Sequence, residues 1–259
     1  MSKQTIFKFV AGVCKYLPTR KIPRLTKMYT ARILGIKDFS LNSGERQTSE
    51  SLDGIRVDHT ARYQVAIDFL QKHYNNTPIK GYDVFCGIGY GAFMLSQAMQ
   101  NVALEAIDGS DEAIKLAQKH YQTGRITFEQ KIFPFDIPTA NADFFISMES
   151  IEHIEDDKLF FDMICKALKP NGILILSTPN EERWKRDVNN VHFHYRHYFP
   201  NKFIEWASSL NFKLLHFYGQ DIYKLNSRGR ITTCVVDKDM AMHEGYEGQN
   251  CVFIFQKIK

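Results

Sequence analysis

The sequence predicts an α/β fold: a doubly wound, seven-stranded, mostly parallel sheet with an antiparallel last strand, preceded by an N-terminal helical extension. Three observations lead there. From about Val57 onward, short apolar runs alternate with stretches of helical periodicity, the pattern of a parallel sheet covered on both faces. A glycine-rich turn joins the first run to the helix after it. The last two runs are separated by residues 219–250, which contain no convincing helix, so the final strand is expected to enter antiparallel.

Each element has a local reason. Ala61, Val65, Ala66, Phe69 and Leu70 recur at helical spacing until Asn75-Asn76 breaks the pattern. A strand over Tyr82–Cys86 leads through the glycine turn into a helix of small residues from Ala92. The strand Val102–Ile107 feeds a helix over Asp111–Tyr121, whose Asp111 and Glu112 suit the positive end of the helix dipole. Strands follow at Ile126–Glu129 and Ala142–Ser147. Next comes a helix with Leu159, Phe160, Met163, Ile164, Ala167 and Leu168 on one stripe. Pro170-Asn171-Gly172 stops that helix and opens the apolar run Ile173–Leu176. A helix over Asn201–Leu210 then feeds the strand Phe212–Tyr218, and Cys251–Ile258 is the last strand.

Composition narrows the class. The chain has 259 residues, 44% hydrophobic and 24% charged, enough apolar material for one substantial core and too much for a disordered chain. No apolar run approaches the roughly 20 residues of a membrane span. Five scattered cysteines without a C-x-x-C pair point to a reducing compartment, so a cytoplasmic location is expected. Charge divides the chain unevenly. Residues 1–37 carry nine Lys/Arg and no Asp/Glu, while the remainder is net −5. Within this head, Ile6, Phe7, Phe9, Val10, Val13, Cys14 and Leu17 share one helical face. Residues 1–54 are therefore read as a basic extension and linker, and residues 55–259 as the main domain. The head suits either peripheral contact with an anionic membrane or a lid over the body.

The strongest local signal is Asp83-Val84-Phe85-Cys86-Gly87-Ile88-Gly89-Tyr90-Gly91, a strand running through glycines into a helix. Such glycines let backbone approach a ligand closely, and the helix start offers free N–H groups. Farther on, Ala106-Ile107-Asp108-Gly109-Ser110 places a carboxylate at the next strand end, where a ribose diol would bind. With Met148-Glu149-Ser150-Ile151-Glu152-His153, Leu168-Lys169-Pro170-Asn171-Gly172 and Ser177-Thr178-Pro179-Asn180 in the same order, residues 55–258 resemble the class I S-adenosylmethionine-dependent methyltransferases. The turn reads G-x-G-x-G, not the G-x-G-x-x-G of dinucleotide oxidoreductases.

The resemblance implies a Rossmann-like sheet, S-adenosylmethionine as cofactor, and roles for particular residues. Gly87 and Gly89 would pass beneath the methionine moiety, Asp83 would hold its ammonium, and Asp108 its ribose hydroxyls. Met148 would lie near the adenosine, or else pack in the core. Arg62 matches an arginine that reaches the cofactor carboxylate, or else forms a surface ion pair. Two positions depart from the family pattern: Phe85 replaces a common first glycine, and Gln130 stands near an aspartate that contacts the adenine amine.

The run Glu149, Glu152, His153 resembles the E-x-x-E-H set of ubiquinone-biosynthesis O-methyltransferases and of RNA-terminal 2′-O-methyltransferases, where it accompanies a divalent cation. Two carboxylates and an imidazole suit a hard or borderline cation such as Mg or Zn. Equally, His153 is a candidate general base, or the three residues only shape the site. Downstream, His192, His194 and His197 are candidate substrate-facing or metal-completing residues.

A small-molecule or glycan O-methyltransferase is the expected function. The alternatives are an RNA-end 2′-O-methyltransferase and a non-catalytic cofactor-binding module. The net −5 body argues against a nucleic-acid partner, which wants a basic groove. No feature of the sequence sets an oligomeric state.

Overall fold

The computed structural model describes residues 47–184, 194–227 and 231–258. The basic head, its amphipathic helix and His192 lie outside the described residues. The chain divides into two compact units, Met1–Thr48 and Ser49–Lys259.

In the second unit, α1 (Val57–Tyr74) precedes β1 (Ile79–Val84), α2 (Tyr90–Ala98), β2 (Val102–Asp108), α3 (Asp111–His120), β3 (Ile126–Gln130) and β4 (Ala142–Ser147). After a 3₁₀ turn (Ile151–His153) come α4 (Asp157–Ala167), β5 (Leu168–Pro179), the short α5 (Glu181–Trp184), α6 (Pro200–Ser209) and β6 (Phe212–Gln220). A hairpin of β7 (Tyr223–Leu225) and β8 (Ile231–Cys234), the two-residue β9 (His243–Glu244) and β10 (Asn250–Lys257) complete it. The strand order is β3-β2-β1-β4-β5-β10-β6-β9. Strands β3, β2, β1, β4 and β5 pair in parallel, and β10 lies antiparallel between β5 and β6. All seven expected strands are present with the expected antiparallel last strand. The eighth, β9, adds only two residues at the β6 edge.

Local chemistry sets the boundaries. Asn75 ends α1 in the left-handed conformation (φ 39°), a conformation that asparagine tolerates better than most residues. The Ser110 hydroxyl accepts from the Ala113 amide to cap α3, and Asp156 accepts from Leu159 to cap α4. The fourth helix stops at Ala167, earlier than its apolar stripe suggested. Leu168 already pairs with Ala142, and Lys169 to Gly172 are accommodated where the register shifts before Ile173 pairs with Phe144. Residues 219–250, expected as a loop, contain the β7–β8 hairpin and β9. These strands are short, and β8 is exposed throughout, so no buried alternation marks them in the sequence.

Neighbouring residues such as Phe144 and Phe145 are both fully buried, which requires cover on both faces of the sheet. On one face, Tyr82, Val84, Phe145, Leu174 and Phe253 pack with Phe160, Phe161 and Ile164 of α4 and Phe203 and Ala207 of α6. Phe161 lies at the centre, its ring 4.7 Å from Trp206 and 5.4 Å from Phe212. Truncating it leaves a cavity that these rigid neighbours cannot close. Phe161→Ala should therefore cost about 3–5 kcal/mol in urea unfolding. A loss below about 1 kcal/mol would show that this layer is not closely packed.

Candidate active site

The C-terminal ends of β1 and β2 meet at a tight turn. The Cys86 amide donates to the Ile107 carbonyl, and the Gly89 amide donates to that of Cys86. Three residues take left-handed conformations: Phe85 (φ 64°), Gly87 (φ 58°) and Gly89 (φ 80°). Phe85, the departure from the family pattern, thus occupies a position where glycine costs nothing and an L-residue costs roughly 1–2 kcal/mol. Its ring lies 5.6 Å from Phe160 and 6.2 Å from Phe133, an aromatic contact that offsets part of that strain.

The two turn glycines serve different ends. A Cβ on Gly89 would lie 2.5 Å from the Phe128 ring and 2.9 Å from Ala117, so glycine there lets α2 pack against its neighbours. A Cβ on Gly87 would meet no atom within 4 Å among the described residues, so glycine there leaves room for a ligand. Asp108 braces the turn. One of its oxygens accepts from the Gly87 amide at 2.9 Å and the other from the Ser110 amide at 2.8 Å. Gln130 faces Asp108 across the β2–β3 register and donates to the Gly109 carbonyl at 3.1 Å. Half-buried Met148 follows the end of β4.

Asp83 is only 1% exposed. The Tyr63 hydroxyl lies 3.1 and 3.2 Å from its two oxygens and can donate to one at a time. Burial pushes the Asp83 carboxyl up to about 8; the tyrosine hydroxyl opposes this and the charge of Asp108 adds to it. A dry carboxylate of this kind favours a bound cation. The buried Asp83, the braced Asp108 and the open face of Gly87 fit the ammonium, ribose diol and methionine chain of S-adenosylmethionine.

Arg62 is engaged by the protein itself. It donates to Asp58 at 3.1 Å and to the Gln220 side chain at 3.2 Å, and its Nη1 lies 3.8 Å from Glu149. The alternative reading puts such a pair at the surface; at 1% exposure Arg62 and its partner Asp58 are instead buried. Arg62 ties α1 to the end of β6 and to the loop after β4.

That loop separates the acidic residues of the E-x-x-E-H run. Glu149 adopts φ 49°, and its amide donates to the Ser177 hydroxyl. One Glu149 oxygen accepts from that hydroxyl at 2.8 Å, and the other accepts from the Asn250 side chain. Glu152 is 1% exposed and accepts from the Thr178 hydroxyl at 3.1 Å. Burial, with the charge of Glu149 adding to it, raises its carboxyl well above the ordinary range. His153 meets His194 edge-on, ring centres 4.6 Å apart. Glu152, His153 and His194 each present one ligand atom, all within 4.8 Å of one another. The sequence paired Glu149 with Glu152 and His153. The structure puts His194 in that place, because Glu149 is spent on Ser177, Asn250 and the Arg62 network. A donor set of one carboxylate and two imidazoles fits a borderline divalent cation.

The segment carrying His194 is well anchored. The Tyr195 amide donates to the Glu152 carbonyl at 2.7 Å, and the Tyr198 hydroxyl donates to Asp157 at 2.8 Å. The Nδ1 of His194 lies 2.7 Å from Nε2 of His197, whose own Nδ1 lies 2.7 Å from a Glu181 oxygen. Sequence reasoning missed Tyr63 and Glu181. Neither carries a local signal: Tyr63 reads as one more residue of an amphipathic helix, and Glu181 as an ordinary first-turn acid.

Comparison with known proteins bears on the family and the fold. A family model described as a methyltransferase domain matches residues 79–230. The ubiquinone biosynthesis O-methyltransferase of Xylella fastidiosa is 31% identical over 122 residues, covering 45% of this chain and 48% of that protein. Its mitochondrial counterpart in Schizosaccharomyces pombe is 32% identical over 105 residues, covering 35% and 36%. The chain spans between 36% and 63% of the length of these and other curated relatives. An S-adenosylmethionine-dependent methyltransferase from Mesorhizobium loti shares the fold with a TM-score of 0.57 at 14% identity, covering 77% of this chain and 99% of that one.

Two expectations follow for the ligand-binding turn. Gly87→Ala should stay folded, losing only the roughly 1–2 kcal/mol of a left-handed alanine, yet bind S-adenosylmethionine far more weakly. Gly89→Ala should lower the melting temperature more, because its methyl strikes Phe128 and Ala117. Calorimetry and thermal unfolding of the pair check this; equal binding losses would remove the distinction drawn between the two glycines.

The second expectation concerns pH. Because the folded pKa of Asp83 lies above its ordinary 3.8, its contribution to the stability of the free protein is full at low pH and lost as pH rises through about 8. A cationic ligand needs the ionised form, so affinity should rise by up to about tenfold per unit between about pH 5 and 7, where an α-amino group stays protonated. Titrations in buffers of different ionisation enthalpy should show close to one proton released. Asp83→Asn should abolish both slope and release, and a flat profile in the native protein would refute the assignment.

Proposed function

The chain belongs to the class I S-adenosylmethionine-dependent methyltransferases, and from that premise we propose that it methylates a hydroxyl oxygen of a small-molecule or glycan acceptor, including lipid-linked ones. The observation that carries this reading is the group Glu152, His153 and His194 beyond the end of β4. It lies where open α/β sheets bind ligands, beyond the C-terminal ends of the parallel strands, as do Asp83 and Asp108. Support also comes from the similarity to ubiquinone-biosynthesis O-methyltransferases, whose names describe O-methylation.

S-adenosylmethionine, when bound, supplies an electrophilic methyl on a positively charged sulfur. The protein has two tasks. It holds the acceptor oxygen in line with that methyl, and it takes up the proton the hydroxyl loses. Asp83 and Asp108 fix the position of the donor through its ammonium and ribose. An imidazole nitrogen can take up a proton, so His153 and His194 are suited to receive the acceptor's proton. Glu149 contributes indirectly, by pinning the loop that carries Glu152 and His153 to β5 and β10. A second reading rests on the same three ligand atoms: Glu152, His153 and His194 would hold a divalent cation such as Mg or Zn, which would acidify the hydroxyl. The net −5 charge beyond residue 37 supports an uncharged or small acceptor over nucleic acid.

Labelled-methyl transfer to fractionated cell extract tests the proposal, with the product's linkage identified by mass spectrometry. His153→Ala should lower turnover by about 10²–10⁴-fold while S-adenosylmethionine affinity changes little. Loss of activity in chelator, restored by Mg²⁺ or Zn²⁺, supports the cation reading; full activity in excess chelator rejects it. Methyl found on nitrogen or carbon, or a His153→Ala variant with undiminished turnover, overturns the hydroxyl assignment.

A further inference from the structure

We propose that Glu181, acting through His197, is a positioning residue that holds His194 in the tautomer with its proton on Nδ1 and its lone pair on Nε2. The consequence for turnover rests on the methyl-transfer reading above; the tautomer itself does not.

An ionised carboxylate only accepts. Glu181 lies 2.7 Å from Nδ1 of His197, so that nitrogen must carry a proton. A neutral His197 then has its lone pair on Nε2, and 2.7 Å away is Nδ1 of His194. The latter must be the donor, which leaves the lone pair of His194 on Nε2. Within the His194–His197 contact itself either nitrogen can donate, and the carboxylate at the far side of His197 gives that contact its direction.

The surroundings favour a fixed relay. The side chain of His197 is 2% exposed, so water does not compete for its nitrogens, whereas Glu181 at 23% keeps contact with solvent. Both ends stand on backbone. The Glu181 amide donates to the Tyr198 carbonyl at 3.0 Å, and Asn180 bridges to Tyr198 in the manner of a short parallel ladder. The Asn180 side chain is held in turn by the Gly248 carbonyl at 2.9 Å. At the other end, the amide of Tyr195 is bonded to Glu152. The relay therefore links the end of β5 to the His194–His153 contact. A lone pair on Nε2 of His194 is what either role requires, receiving the acceptor's proton or ligating a cation; an N–H there would block both. This arrangement is the carboxylate–imidazole pairing by which proteins fix a working histidine.

The test reads the tautomer directly. The full chain, labelled with ¹⁵N at histidine, is observed by long-range ¹H–¹⁵N correlation, with His194 assigned from a His194→Gln spectrum. The native protein should show His194 protonated on Nδ1. Glu181→Leu and His197→Leu should move it to the Nε2-protonated form or a mixture. Turnover in both should fall by about 10–100-fold, with the KM for S-adenosylmethionine unchanged. Glu181→Gln, whose amide oxygen still accepts from His197, should keep the native tautomer and recover most of the turnover. A purely structural role would not distinguish Leu from Gln in this way. Native His194 in the Nε2-protonated form, or a tautomer indifferent to Glu181→Leu, overturns the proposal. A tautomer that shifts while turnover stays constant overturns its catalytic consequence. If no methyl acceptor is found, the spectra still decide the tautomer, so failure of the functional reading is separable.

Discussion

Asp83 stands one residue before the end of the central strand of the parallel half of the sheet, at a depth where water does not reach it, and a carboxylate there is stable only beside a donor or a cation. Much of the architecture answers that requirement. The first helix supplies the Tyr63 hydroxyl, and its ring fits because residue 91 is glycine; a Cβ there would fall 2.0 Å from the tyrosine ring. The chain must then reverse within a few residues to begin α2, which forces Phe85, Gly87 and Gly89 into left-handed conformations. That reversal turns the Gly87 amide toward Asp108, so the second carboxylate braces the turn created by the first.

The buried charge on the first helix is handled by pairing. Arg62 and Asp58 form an ion pair between side chains that are 2% and 1% exposed, and the guanidinium also serves Gln220. A pair this deep contributes little net stability compared with apolar packing, but removing one partner would strand the other. Its value here is geometric. Through Glu149 the network connects α1, β6, β5 and β10, and it leaves Glu152 and His153 to form a separate group with His194. Two acidic residues three positions apart thus have different surroundings: Glu149 is bonded to Ser177 and Asn250, whereas a Glu152 oxygen lies within 4.8 Å of ring nitrogens of His153 and His194.

The sheet itself says little about the acceptor. It is shared with a Mesorhizobium loti protein at only 14% identity, which is evidence for fold and not for chemistry. Around the strand ends lie the segment bearing His194 and His197 and the β7–β8 hairpin, the latter fastened to the start of α1 by Arg56, which donates to the Tyr223 hydroxyl at 3.3 Å and lies 5.8 Å over that ring. Among the described residues no helix is long and apolar enough to cross a membrane.

The seven main strands, the glycine turn and Asp108 were legible in the amino-acid sequence because each is specified by its neighbours in the chain. Ile173 to Leu176 form an unbroken apolar run that only a doubly covered strand accommodates, and Asp83 through Gly91 carry strand, turn and helix in nine residues. Short, exposed elements such as β8 and β9 gave no such signal, since their pairing depends on an edge supplied by other strands. The composition of the site was decided by tertiary structure. Glu149 and His194 exchanged places relative to the sequence reading because Ser177 and Asn250, 28 and 101 residues away, claim the glutamate, while the Glu152 carbonyl draws in Tyr195 beside His194. Tyr63 and Glu181 acquire roles only through contacts across 20 and 16 residues. Periodicity along a chain reports which face of an element is buried, but a hydrogen-bond partner is set by strand register and by which loops converge. Those are properties of the assembled sheet.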